Sequence, residues 1–120
     1  MCFNRKKSGE KNGLFDSIAS AYGIFFGFQK RRYSSVIDRV SESVDISSCR
    51  KILDVGCGTG ALCAALSSRG FDVTGIDLSS KMLAVAMKKQ ENKKINFLQA
   101  SVLERLPFED KAFDISIASF

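Results

Sequence analysis

Histidine and tryptophan are absent from the 120 residues, proline occurs once, and none of the four cysteines stands in a C-x-x-C pair. Each gap removes a class of function. Without His there is no imidazole general base, and no Ser-His-Asp or Cys-His constellation, within this chain. Without His or paired cysteines a zinc site lacks its ligands, so no metal is expected. One Pro and nine Gly exclude a low-complexity or collagen-like chain. No apolar run reaches the ~20 residues of a membrane span. The moderately apolar stretch from Leu14 to Phe28 follows basic residues, as in a signal peptide. Ser20 and Tyr22 interrupt it, however, and no small-x-small cleavage site follows. The chain is therefore expected in the cytoplasm, with Cys57 and Cys63 as buried, reduced thiols.

What is present is ordinary globular material: 45% hydrophobic and 26% charged residues, enough for one core and one domain. The net charge of +5 is spread over small clusters such as Arg5-Lys6-Lys7 and Lys30-Arg31-Arg32. These read as solvated helix ends. No aromatic-basic interleaving supports a nucleic-acid partner, and nothing supports a membrane surface.

Three regions follow from the pattern. Residues 1–13 are polar and basic and read as a flexible terminus. Residues 14–50 read as a helical cap. Phe15, Ile18, Ala19 and Tyr22 recur at helical spacing, and Tyr33, Val36, Ile37, Val40 and Val44 mark a second amphipathic helix. Gly23 and Gly27 argue against one rigid helix through both. Phe25, Phe26 and Phe28 read as core packing. From residue 51 to 120 strands alternate with helices: Ile52–Val55, Ala61–Arg69, Val73–Asp77, Ser79 or Ser80 to Gln90, Ile95–Gln99 and Phe113–Ala118. That alternation means an α/β, Rossmann-like parallel sheet with right-handed crossovers.

The chemistry sits in ILDVGCGTG, residues Ile52 to Gly60. Gly56, Gly58 and Gly60 let the backbone bend sharply and approach a ligand, and the following helix offers free N–H groups. The spacing is G-x-G-x-G, not the G-x-G-x-x-G of dinucleotide sites. Asp54, just before the turn, suits an ammonium group. A ligand with both ammonium and carboxylate is an amino acid, and the methionyl end of S-adenosylmethionine is one. Asp77, ending the second strand in VTGIDLS, is placed to accept hydrogen bonds from two ribose hydroxyls. Asp114, in FDISI, reads as part of an ordinary strand start.

At these residues the chain resembles the class I S-adenosylmethionine-dependent methyltransferases. ILDVGCGTG, VTGIDLS, the Leu106-Pro107-Phe108 loop and FDISIASF follow in that family's order. The segment from Phe15 to Phe26 resembles the leading helix of the ubiquinone/menaquinone-type members. The resemblance implies a cofactor site of Asp54, Gly56, Cys57, Gly58, Gly60, Asp77, Leu78, Ser101, Val102 and Ser119, with Tyr22 helping to cover it. Leu78 would pack near the adenine. Ser101 stands where the family usually has an acid binding the adenine amino group. S-adenosylmethionine is the implied cofactor, S-adenosylhomocysteine its product, and a small molecule the implied acceptor. No catalytic residue is assigned.

The resemblance also implies further strands after Phe120, so the chain reads as the first half of such a domain. On that reading the fourth strand is an exposed edge, the chain would be marginally folded or self-associated through it, and the 120 residues alone would be inactive. Two other readings stay open. One is a non-catalytic or partner-dependent fragment that only binds cofactor. The other is a nicotinamide-dependent Rossmann enzyme.

Overall fold

The computed structural model describes residues 4–91 and 93–119, with side chains from residue 21 onward apart from residues 22 and 23. Helix α1 (Asn4–Ser43) precedes β1 (Lys51–Val55), α2 (Ala61–Ser67), β2 (Asp72–Asp77), α3 (Ser80–Lys89), β3 (Ile95–Gln99) and β4 (Ile115–Ala118). All three strand pairings are parallel, in the order β3-β2-β1-β4. This is the expected Rossmann-like sheet, with β1 central and β4 beside it. Among the described residues β4 pairs with β1 alone.

The cap differs from expectation. The two helices read from the pattern are one continuous α1, and the stretch expected to be flexible is helical from Asn4 onward. Residues 1–3 lie outside the described residues. An internal glycine costs a helix only about 1 kcal/mol. The one proline of the chain is Pro107, so nothing in this segment removes a helical N–H. Phe25 and Phe28, expected in the core, are 53% and 58% exposed. The core stripe of α1 lies further along, at Tyr33 and Ile37, where the helix packs against α2. The guanidinium of Arg32 stands over the Phe28 ring, and Lys89 Nζ over Phe26. Among the described residues no helix is long and apolar enough to cross a membrane.

Parallel pairing stacks the strands in two rows across the face that meets the helices. The first row runs Ile95, Val73, Ile52, Ile115. All four are apolar and belong to or pack against the core cluster. Fully burying such a side chain stabilises by roughly 1.5–3 kcal/mol. The second row, one pleat further on, runs Phe97, Gly75, Asp54, Ile117. A carboxylate therefore occupies a position in an otherwise apolar row. Helix α2 covers this face. Ala61 through Leu66 are all buried, and the small Ala and Cys side chains let the helix lie close between the sheet and α1.

Strand ends are set locally. Ser79 caps α3, its Oγ accepting from Met82 N–H at 3.3 Å. Phe113, expected within β4, precedes it and packs edge-on against Phe108 at 4.9 Å. The strand starts at Ile115, and just before it the Asp114 N–H bonds Lys51 O at 2.8 Å. Asp114 also accepts Arg50 N–H and Lys51 N–H on Oδ2 at 2.7 and 2.9 Å. Those two bonds hold its carboxyl below the usual carboxylate range. It is a clamp at the amino end of the sheet.

Candidate cofactor site

The ligand crevice of an open parallel sheet lies at the carboxyl ends of its strands. The segment Gly56–Gly60 leaves β1 there, Asp77 ends β2, Ser101 and Val102 follow β3, and Ser119 follows β4. The expected site residues on these segments are thus brought to one edge. Tyr22 lies outside the described side chains.

The turn is held mainly by β2. Ile76 O accepts two N–H groups, from Gly56 at 2.8 Å and from Cys57 at 2.9 Å. Asp77 Oδ2 accepts Gly58 N–H at 2.8 Å, and Gly60 N–H bonds Cys57 O at 2.9 Å. These turn amides are therefore engaged within the protein. What they build is a fixed cradle rather than a set of free donors. Gly60 is required twice over. Its φ is +80°, and a Cβ there would stand 3.0 Å from the Phe97 ring. Gly56 and Gly58 share the positive φ.

Asp77 has a second role that the sequence did not disclose. Its Oδ1 accepts Ser79 N–H at 2.8 Å while Oδ2 holds the turn. Each carboxylate oxygen keeps a further lone pair, so the group can still receive hydroxyls. Beside it Leu78 is 69% exposed and Val102 63% exposed, apolar surface at the lip of the crevice. Gln99 Nε2 donates to Leu78 O at 2.9 Å and ties these two segments together. Ser101 Oγ accepts Leu103 N–H at 3.2 Å, which orders the turn after β3.

Asp54 is fully buried. Its Oδ2 accepts the Cys63 thiol at 3.2 Å, and Oδ1 has no partner among the described residues. Burial pushes its pKa up to about 6, against the opposing effect of the Cys63 hydrogen bond and with a further upward push from the Asp77 charge. The described cysteines Cys49, Cys57 and Cys63 are free, and the last two are buried as expected.

A cleft of about 200 Å³ opens over the turn. Gly56 to Thr59 form its floor, Ser119 one side, and Phe25, Gln29 and Tyr33 of α1 another. The Tyr33 hydroxyl lies 3.3 Å from Ser119 Oγ, bridging helix and sheet. Sequence reasoning missed Gln29, Tyr33 and Met82. The signal was available for the first two: residues 25, 29 and 33 repeat every four positions and share a helix face.

Comparison with known proteins agrees with this fold. The model of a methyltransferase domain family matches residues 52–120, more than half of the chain. A demethylmenaquinone methyltransferase of Chlorobaculum tepidum is 36% identical, over 97% of this chain and 49% of its own length. A ubiquinone biosynthesis O-methyltransferase of Rickettsia prowazekii is 38% identical, over 89% of this chain and 40% of its own. The chain thus spans half or less of the length of these two relatives. Among solved structures, CalS10, an amino pentose methyltransferase from Micromonospora echinaspora with SAM bound, superposes with a TM-score of 0.62. It is 25% identical and aligns with 77% of this chain and 36% of its own. With turn, strand order and family match in agreement, the chain belongs to the class I S-adenosylmethionine-dependent methyltransferases.

Proposed function

We propose that residues 51–120 form the cofactor-binding part of a methyltransferase that acts, as a whole protein, on a small-molecule acceptor. One observation carries the reading: the 2.8 Å bond from Gly58 N–H to Asp77 Oδ2 joins the glycine turn and the strand-end acid into one cradle. The residues fit S-adenosylmethionine. A buried carboxylate with an unpartnered oxygen calls for a positive donor, which an amino-acid ammonium is. When bound, the cofactor supplies an electrophilic methyl on its sulfonium sulfur.

The chain's own residues bind and orient. Asp77 accepts the ribose hydroxyls on its remaining lone pairs, and Leu78 and Val102 flank the adenine with apolar surface. Ser101 accepts a hydrogen bond from the adenine amino group without adding charge. Phe25, Gln29 and Tyr33, tied to Ser119, screen the methionyl end from water, which suits a displacement at a sulfonium. Position and a dry site are the protein's share of such chemistry. A quinone-type ring is the acceptor class favoured here. The Chlorobaculum and Rickettsia proteins carry quinone names, and the first of these alignments takes in α1 as well as the sheet. A cytoplasmic location fits the free thiols.

Calorimetric titration with S-adenosylhomocysteine and with NAD tests the cofactor reading. The chain is expected to bind the first more tightly. Asp54 and Asp77 offer an ammonium and a ribose their partners and repel a pyrophosphate. Tighter binding of NAD would return the chain to the dehydrogenase reading.

A further inference from the structure

We propose that Cys63 is a positioning residue for the cofactor's amino group: its thiol, donating to Asp54 Oδ2, fixes the buried carboxylate so that Oδ1 is the acceptor kept for the ammonium. The inference rests on the cofactor reading above and adds a residue that touches no ligand.

The surroundings of Asp54 leave the task to Cys63. Its neighbours in the strand row are Gly75 on β2 and Ile117 on β4, and neither side chain can donate. From above, α2 presents Cys63 and the turn presents Cys57. Asp77 at the end of β2 contributes only a like charge. Among the described residues no lysine or arginine pairs with Asp54. Cys63 is the one described side chain that donates to it, at 3.2 Å, and both residues are 0% exposed.

The thiol is itself held in place. A Cβ on Gly75 would fall 2.9 Å from both Cys57 Sγ and Cys63 Sγ, so the missing side chain is the space the two sulfurs occupy. Cys63 also stays protonated. The neighbouring Cys57, then burial, then the Asp54 charge all push its pKa up, out of reach of ordinary pH. It is therefore a donor wherever Asp54 is charged. A thiol donates weakly, but in a dry site a fixed weak donor still settles which oxygen stays open.

The test compares this chain with its Cys63→Ala and Cys63→Ser variants. S-adenosylhomocysteine is titrated from pH 5 to 8, beside 5′-methylthioadenosine, which lacks the amino-acid end. Cys63→Ala is expected to weaken S-adenosylhomocysteine by about 3–10-fold. It should also move the acid limb of the profile to higher pH, because Asp54 loses the bond that lowers its pKa. Cys63→Ser keeps a donor and should restore both. Binding of 5′-methylthioadenosine should be the same in all three. If both ligands weaken together in Cys63→Ala and Cys63→Ser, the residue serves packing and the proposal is wrong. The proposal alone also fails if the parent prefers S-adenosylhomocysteine and Cys63→Ala changes neither that preference nor the acid limb. A parent that binds the two ligands equally, or neither, would overturn the ammonium reading of Asp54 and this inference with it.

Discussion

The two ends of the β1 strand use the same residue type in opposite ways. At the amino end Asp114 is exposed, satisfied by two backbone N–H groups, and held below the usual carboxylate range. At the carboxyl end Asp54 is sealed in the core, has one oxygen without a partner, and is pushed up to about 6. Asp77, close by, is intermediate: both oxygens hold backbone, yet the residue is half-exposed. A carboxylate that finishes its hydrogen bonding within the fold is architecture. One that is buried unfinished costs stability, as Asp54 does near the carboxyl end of β1.

The sharpest way to break this contrast is at Asp77. On the proposed reading, Asp77→Ala removes two charge-assisted hydrogen bonds to ribose, each worth about 1.5–3 kcal/mol. It also frees Gly58 N–H and Ser79 N–H. Affinity for S-adenosylhomocysteine should fall roughly 100-fold or more by calorimetry, with a lower melting temperature. Equal affinity would remove Asp77 from the site. The equivalent change at the other end, Asp114→Ala, should lower the melting temperature and leave affinity within about twofold.

Acidity separates the ends next. Asp54 titrates near 6 when folded and near the ordinary aspartate value of 3.8 when unfolded. Between those values the folded state holds the extra proton, so stability without ligand falls as pH rises from about 4 to 6. The part due to Asp54 is about 3 kcal/mol. It should appear as the difference between parent and Asp54→Asn in denaturant melts across that window. Ligand binding runs the other way. Once Asp54 is protonated it loses the ammonium, so affinity should decline up to tenfold per unit below about pH 6. A flat profile would contradict the assignment. Asp114 has the opposite sign. Its lowered pKa contributes stability above the unfolded value, and that contribution is lost as pH falls through the folded one.

The smallest effect concerns the cradle itself. Gly60→Ala places a methyl 3.0 Å from the Phe97 ring at φ +80°. A loss of about 1–2 kcal/mol of stability is expected, with affinity falling only as far as the turn shifts. Urea melts and the same titration would measure the two separately.

Much of this was legible in the sequence. The α/β alternation placed every strand, because apolar runs between turn signals leave few other choices. The turn and Asp77 were readable from their order. The long α1 was not, since glycine weighs against a helix locally while continuity decides it. Nor were the partners of Asp54. Cys63 lies nine positions away and reaches it only because α2 folds back over the sheet. The backbone duties of Asp77 were hidden for the same reason: a pattern shows which residue types converge, not which lone pairs are already spent.

The double bond from Ile76 O to the turn has a consequence in time as well as in space. The motif Ile52 to Gly60 looks self-contained in the chain, yet its shape is borrowed from residues about 20 positions later. As the chain is synthesised, the glycines emerge first with nothing to hold them. The cradle can close only when β2 has been made and has docked beside β1. A nascent chain ending before Asp77 would carry the whole glycine signature and still be blind to its ligand.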